Sequence, residues 1–180
     1  MRILSLKKSL KKRIPILAVI LLSGCSVQSS QLSGLVSLIR EPSLDLSANS
    51  WLVRYSGYES VVYAVSTSEG TLFSNKAGDK VLFDGWMVRK VSGLGRRGLD
   101  TKIDEIDDVR TFKQGTRTLA SHRCQEWQRE TSSGMVSLSQ DCIGARDYSN
   151  SILVLEDGSI SVIRQIVDER YTALTLTKLK

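Results

Sequence analysis

The stretch SILVLEDGSISVI, residues 151–163, decides the fold class of this chain. Two runs of branched apolar residues flank the segment Glu156-Asp157-Gly158, and Asp-Gly between such runs is among the strongest short-range signals of a β-hairpin. Residues 171–177 then alternate with period two, which is the spacing of a strand with one buried face. The end of the chain is therefore predicted to be antiparallel β-structure.

The same signals run back along the chain to Trp51. Runs rich in branched and aromatic residues are separated by short turns that contain glycine. The runs are 51–55, 60–65, 80–83 and 86–91, and the turns are 69–70, 77–79 and 84–85. Strands this short, joined by such turns, predict an antiparallel meander. Residues 93–108, where glycines flank two arginines and an acidic stretch follows, interrupt the pattern, and we expect them to form a long surface loop.

The N-terminus carries a different kind of segment. Basic residues between Lys7 and Arg13 precede an apolar run, residues 14–22, which leads into Leu22-Ser-Gly-Cys25. A positive region, a short apolar region and small residues at a cut site form a secretory signal. The apolar run is too short to span a bilayer of roughly 30 Å as a helix. An ordinary secretory signal with an incidental cysteine is one interpretation.

Leu22-Ser-Gly-Cys25 also resembles a bacterial lipobox. The resemblance implies that the thiol of Cys25 is diacylated, that the chain is cut before this residue, and that the new amino group is acylated. Several acyl chains hold a protein at a membrane essentially permanently, because each buried methylene adds about 0.8 kcal/mol. By the same resemblance, Ser26 in place of an aspartate after the cysteine implies sorting to the outer membrane of a Gram-negative cell.

The signal also accounts for the net charge. The chain holds 25 Lys and Arg residues against 19 Asp and Glu residues, formally +6. Residues 1–24 contain six basic residues and no acidic residue, so the chain from Cys25 onward is formally neutral. The basic pI therefore does not indicate a nucleic-acid partner.

Three parts are predicted along the chain: a signal peptide at 1–24, a lipidated tether at 25–50 and a single β domain at 51–180. The tether begins with small polar residues, as in a flexible spacer. Apolar residues at roughly helical spacing then predict a short amphipathic helix before Pro42. They are Leu32, Leu35, Val36, Leu38 and Ile39. The predicted fold is all-β, mainly an antiparallel meander, with a short N-terminal helix and tether.

Cys124 and Cys142 are predicted to form a disulfide, because an exported chain reaches an oxidising compartment. A three-residue hairpin loop centred on Ser133 has Gly134 at its third position, where positive φ is required. Stepping outward from that loop places the two cysteines directly opposite each other, at a spacing that suits a disulfide. A redox role is the alternative, but the pair lacks the close Cys-x-x-Cys spacing of redox motifs.

The search for catalytic groups yields little, and we expect no enzymatic activity, no cofactor and no metal. His122 is the only histidine of the chain, so a Ser-His-Asp or Cys-His site would have to use it. A strand or surface histidine is the alternative. One histidine and a disulfide cannot supply a zinc site. The carboxylates between Asp104 and Asp108 are of the type that glycoside hydrolysis uses, although such clusters are usually solvated loops.

Arg96, Arg97 and Trp86 are the candidate ligand-binding residues. Two arginines between glycines of an exposed loop suit an anionic glycan or lipid group, and basic loop residues without a ligand are the alternative. The three tryptophans, Trp51, Trp86 and Trp127, have ring faces that suit stacking on sugars, although tryptophans in strands more often belong to the core.

Two segments resemble the YjbF/GfcB-type lipoproteins of exopolysaccharide and group 4 capsule loci. Residues 84–94, DGWMVRKVSGL, are similar to that family's Gly, apolar-Val-basic and Gly-Leu stretch. Residues 148–165, YSNSILVLEDGSISVIRQ, resemble its closing hairpin with an Asp-Gly turn and a following Gln. The resemblance implies a sheet curled into a half-barrel, in an outer-membrane lipoprotein that faces the periplasm. It also implies a non-catalytic part in secretion or assembly of an extracellular polysaccharide, with the polymer or an outer-membrane export protein as partner.

Two other functions fit the same residues. The first is a structural lipoprotein of another envelope assembly, such as a secretion-system pilot or a lipoprotein chaperone. The second is a periplasmic enzyme that cleaves glycans.

Overall fold

The computed structural model describes residues 49–95 and 98–180, which form thirteen strands in one antiparallel sheet. The strands are β1 Ser50–Tyr55, β2 Tyr58–Thr67, β3 Gly70–Ser74, β4 Lys80–Phe83, β5 Val88–Ser92, β6 Asp100–Ile106, β7 Val109–Gln114, β8 Arg117–Cys124, β9 Gln128–Ser132, β10 Met135–Ile143, β11 Asp147–Val154, β12 Ile160–Ile166 and β13 Ala173–Lys178. The predicted all-β antiparallel meander is confirmed. The signal peptide, Cys25 and the tether with its predicted helix lie outside the described residues.

The sheet closes on itself through β10. Strands β1 to β8 follow one another as neighbours, and β11, β12 and β13 lead back to β1. β10 pairs with β8 and β9 on one side and with β11 on the other. The family resemblance implied a half-barrel, and the structure goes further because the long strand β10 joins both ends of the meander. In the described part of the chain, no helix is long and apolar enough to span a bilayer.

Closure gives every strand except β9 one shared core. In β1, Trp51 and Val53 point inward at 6% and 0% exposure, and Leu174 and Leu176 of β13 are completely buried beside them. Trp51 meets Phe73 of β3 edge to face, with ring centroids 5.0 Å apart, a favoured aromatic geometry. Trp51 is therefore a core tryptophan, as strand tryptophans usually are.

The prediction of a surface loop over residues 93–108 is wrong for its second half, which forms β6. Thr101 and Ile103 face inward, each 1% exposed, while Lys102 and Asp104 face outward. The Nζ atom of Lys113 on β7 lies 3.1 Å from the Asp104 carboxylate. Charged residues are compatible with the solvent face of a strand when opposite charges lie across from them. The many charged residues on the solvent face therefore obscured, in the sequence, the period-two alternation of this strand.

The β9–β10 hairpin differs from the prediction by one residue. Ser133 and Gly134 form a two-residue turn with φ angles of 50° and 78°, and Ser132 pairs directly with Met135. The expected three-residue loop is therefore wrong. Positive φ at both central residues is the requirement of a type I′ turn, whose twist matches that of the flanking strands.

The predicted pairing of Cys124 with Cys142 is nevertheless confirmed. The two residues are directly opposite in β8 and β10, their Cα atoms are 4.0 Å apart, and their sulfur atoms lie 2.10 Å apart, at disulfide distance. A bulge compensates for the shorter turn, because residues 125–127 stand against only residues 140–141 of β10. An extra residue in one strand is how a β-bulge shifts register.

Candidate functional site

The described residues contain a cleft of about 720 Å³ at one end of the strands. The β1–β2 turn, the β5–β6 loop, the end of β7, β8 and the β12–β13 loop line it. Two tyrosines, three leucines and several polar side chains contribute to its walls: Tyr55, Tyr58, Leu94, Leu99, Leu119, Asp100, Gln114, Glu169 and Arg170. A concave site with apolar walls and a few fixed polar groups is the usual form of a small-molecule site.

The β1–β2 turn sets the position of both tyrosines. Ser56 and Gly57 have φ angles of 48° and 76°, so this is again a two-residue turn with two positive φ values. Tyr55 and Tyr58 are consequently direct cross-strand partners. Sequence reasoning missed this pair, and the short Ser-Gly turn between the two tyrosines is the signal that could have found it.

Tyr55 ties the β1–β2 turn to the β12–β13 loop. Its hydroxyl donates to Oδ2 of Asp168 over 2.6 Å, and Oδ1 of Asp168 accepts the backbone N–H groups of Arg170 and Thr172. Burial, and then the bond to the carboxylate, raise the pKa of Tyr55 well above its ordinary value. Tyr55 therefore stays protonated and remains a donor.

Tyr58 ties the same turn to the β3–β4 loop. Its hydroxyl donates to Oδ2 of Asp79 over 2.9 Å, and Asn75 Nδ2 donates to the same oxygen over 2.7 Å. Asp79 and Asp168 are 1% and 2% exposed. Both buried carboxylates are thus occupied by bonds within the protein, so they brace the cleft and are poorly placed for acid–base chemistry on a ligand.

Arg96 and Arg97 lie outside the described residues. Their sequence neighbours Gly95 and Gly98 line the cleft. The prediction that these two arginines bind a ligand stays a prediction.

The predicted site residue Trp86 lies away from the cleft, in the β4–β5 turn at the other end of β5. It is 53% exposed. Its ring centroid lies 6.1 Å from that of Trp127, in the bulge between β8 and β9, with the planes tilted by 48°. The structure therefore pairs two of the three tryptophans and separates them from the third, which is in the core.

His122 is buried in an aromatic cluster at the junction of β8, β11 and the β12–β13 loop. It is 4% exposed, its Nδ1 lies 2.9 Å from the hydroxyl of Tyr148, and its ring stacks on Tyr171 at 5.0 Å. Burial, and then the charge of Arg110, lower its pKa. These contacts leave His122 a structural residue, and no nucleophile among the described contacts uses it.

Asp104, in β6, and Asp108, in the turn after it, are paired with basic side chains. Asp104 lies 3.1 Å from the amines of both Lys102 and Lys113, and Asp108 lies 2.9 Å from Arg123. Although burial acts to raise the pKa of Asp104, its bonds from Lys113 and Lys102 hold the pKa below the ordinary value. Among the described residues, no group of His, Cys, Asp and Glu side chains is arranged to hold a metal ion.

Comparison of the chain with protein-family models, with curated protein sequences and with solved structures gives no significant match.

The bracing of the cleft predicts unequal effects of two matched substitutions. Tyr55→Phe leaves Oδ2 of Asp168 without its tyrosine donor, and we expect it to lower the free energy of unfolding by about 1–3 kcal/mol. Tyr58→Phe should cost less, about 1 kcal/mol, because Asn75 still donates to Asp79. Urea unfolding of both variants measures the difference. Equal losses would contradict the argument that Asn75 compensates for Tyr58 while nothing replaces Tyr55.

The stability of the protein is expected to depend on pH through His122. The effect can be assigned to this residue because it is the only histidine of the chain. Its pKa is lowered in the folded state, so the unfolded chain takes up the proton more readily. Stability should therefore be lost as the pH falls below 6.5, the ordinary histidine value. Urea unfolding between about pH 7 and pH 5, above the range where carboxylates titrate, measures the slope.

The control for that slope is His122→Gln, which removes the titrating group. The variant should be less stable at neutral pH but show a flat profile across the same range. A wild-type profile as flat as that of the variant would contradict the lowered pKa.

Proposed function

We propose that this protein is a lipoprotein of the outer membrane that faces the periplasm and acts as a non-catalytic accessory factor in secretion or assembly of an extracellular polysaccharide. The lipobox-like Leu22-Ser-Gly-Cys25 supports the membrane anchor. Residues 84–94 and 148–165, which resemble the YjbF/GfcB-type lipoproteins, support the role in polysaccharide secretion.

The cleft is the observation that carries the proposal. It offers tyrosine and leucine side chains together with fixed polar groups, a combination that suits a ligand with both C–H faces and hydroxyl groups. Of the three carboxylates that line the cleft, Asp168 is buried and bonded to Tyr55, whereas Asp100 and Glu169 are exposed. A buried carboxyl group bonded within the protein, as Asp168 is, is poorly placed to act as a general acid or base on a bound glycan.

The two segments that resemble the family also meet in the folded chain. Gln165, at the end of the second segment, is 1% exposed. Its Oε1 accepts the N–H of Val88 over 2.9 Å, and its Nε2 donates to the carbonyl of Trp86 over 2.8 Å. A glutamine and a strand that are far apart in sequence thus form one structural unit.

A pilot lipoprotein of another envelope secretion complex is the second candidate, and β9 is the observation that favours it. β9 is at the end of the strand order and pairs only with β10 among the described strands. All five of its residues are exposed. An edge of this kind is suited to accept a strand from a partner protein.

The test is a deletion strain in which surface and cell-associated polysaccharide are measured, complemented with the wild-type gene or with Cys25→Ala. We expect the deletion to change the amount of polymer at the surface while total synthesis continues. Only the wild type should restore it, because Cys25→Ala cannot be acylated.

Unchanged surface polymer in the deletion strain would contradict the proposed role. If a secretion complex is instead mislocalised in that strain, the pilot function is supported in place of the role in polysaccharide secretion. Full restoration by Cys25→Ala would show that the anchor is not needed.

A further inference from the structure

The pair of Trp86, which is exposed, and Trp127, which is partly buried, is not part of the cleft. Trp86 is 53% exposed although its sequence neighbours Met87 and Val88 are 4% and 0% exposed. Burying a tryptophan removes about 150–250 Å² from water, so leaving half of one exposed forgoes a considerable part of the stabilisation available to it. The exposure therefore calls for an explanation other than core packing.

The turn that carries Trp86 is held firmly by hydrogen bonds. Oδ1 of Asp84 accepts the N–H groups of Trp86 and Met87 over 2.9 and 2.8 Å. Oδ2 of Asp84 accepts a bond from Arg89. Gln165 fixes the turn from β12, through the carbonyl of Trp86. The indole thus projects into solvent from a well-anchored backbone.

Trp127 is brought to the same place by a second irregularity of the sheet. It lies in the bulge at residues 125–127, and its partly buried side chain packs against the core. Bulges re-aim side chains and often lie beside functional sites. A register shift next to Phe83 likewise precedes the β4–β5 turn. Each tryptophan of the pair therefore lies next to an irregularity in strand pairing, and their ring centroids are 6.1 Å apart.

The size and charge of the pair indicate the kind of ligand. The exposed half of one indole amounts to roughly 100 Å², far less than the roughly 800 Å² per partner of a stable protein interface. Arg89 and Asp84, beside Trp86, are paired with each other, so they present no net charge to a ligand. A ring-sized, uncharged, partly apolar group fits these properties.

We propose that Trp86 and Trp127 form a stacking site for a pyranose ring of a glycan. Pyranose rings present C–H bonds on their faces, which contact the electron-rich faces of aromatic rings, while their hydroxyl groups at the edge stay in water. This inference rests on the proposed function for the expectation that the natural ligand is a polysaccharide. It adds a second contact point, separate from the cleft.

The test is a tryptophan-fluorescence titration of the full chain carrying Cys25→Ala, purified from the periplasm. The probes are cellohexaose and the surface polysaccharide extracted from the source cells. Because Trp51 is buried, a saturable change reports on Trp86 and Trp127. We expect such a change with at least one probe, and a loss of affinity of about tenfold or more in Trp86→Ala, as for truncation of an aromatic stacking contact.

Trp86→Phe, which keeps a ring, should retain part of the affinity. Ile106→Ala is the matched control, because Ile106 is 72% exposed and offers no aromatic face, and it should bind like the wild type. Thermal unfolding of each variant checks that it folds.

The proposal is overturned if neither probe changes the fluorescence, if Trp86→Ala binds as the wild type does, or if Ile106→Ala weakens binding equally. The proposal is also overturned if neither glycan produces a response and Trp86→Ala instead loses binding to a partner protein. Failure here is distinguishable from failure of the proposed function, because the deletion strain reports on polymer at the surface whether or not these rings bind it.

Discussion

The pairing of β10 with strands on both of its sides is the interaction on which the rest of the structure depends. Backbone N–H and C=O groups that are buried without partners are costly, and a curled sheet that stops short leaves two rows of them at its edges. β10 reaches β8 and β9 with one edge and β11 with the other. The closed sheet then has one shared core and leaves the protruding strand β9 at its margin.

Closure also explains a group of buried polar side chains beside the disulfide. Arg110 is 1% exposed, and its guanidinium bonds Glu105 and Gln140, each over 2.8 Å. Asn150 of β11 donates toward Gln140 and toward the sulfur of Cys142. Buried charge is tolerated only when paired and hydrogen-bonded, and no buried side-chain nitrogen or oxygen among the described residues lacks a partner. This network and the disulfide hold β7, β8, β10 and β11 together where the ring closes.

Local chemistry in the sequence was enough to predict the strands and several turns. The Asp157-Gly158 turn between apolar runs leads from β11 to β12 as expected, and the cysteine pairing followed from a turn position that was only one residue off. What could not be predicted depends on distant parts of the chain. Tyr55 and Asp168 are 113 positions apart, and neither carries a local signal of the other. Trp86 reads as an ordinary strand tryptophan until the turn that exposes it is known.

The closed sheet is the central claim, and amide hydrogen exchange followed by mass spectrometry tests it most directly. If β10 joins the two ends of the meander, the amides of β10 and β11 should exchange as slowly as those of β1 and β13, since all of them open only on global unfolding. The amides of β9 should exchange much faster. Rapid exchange in β10 and β11, with β1 and β13 still protected, would contradict closure and leave an open, curled sheet.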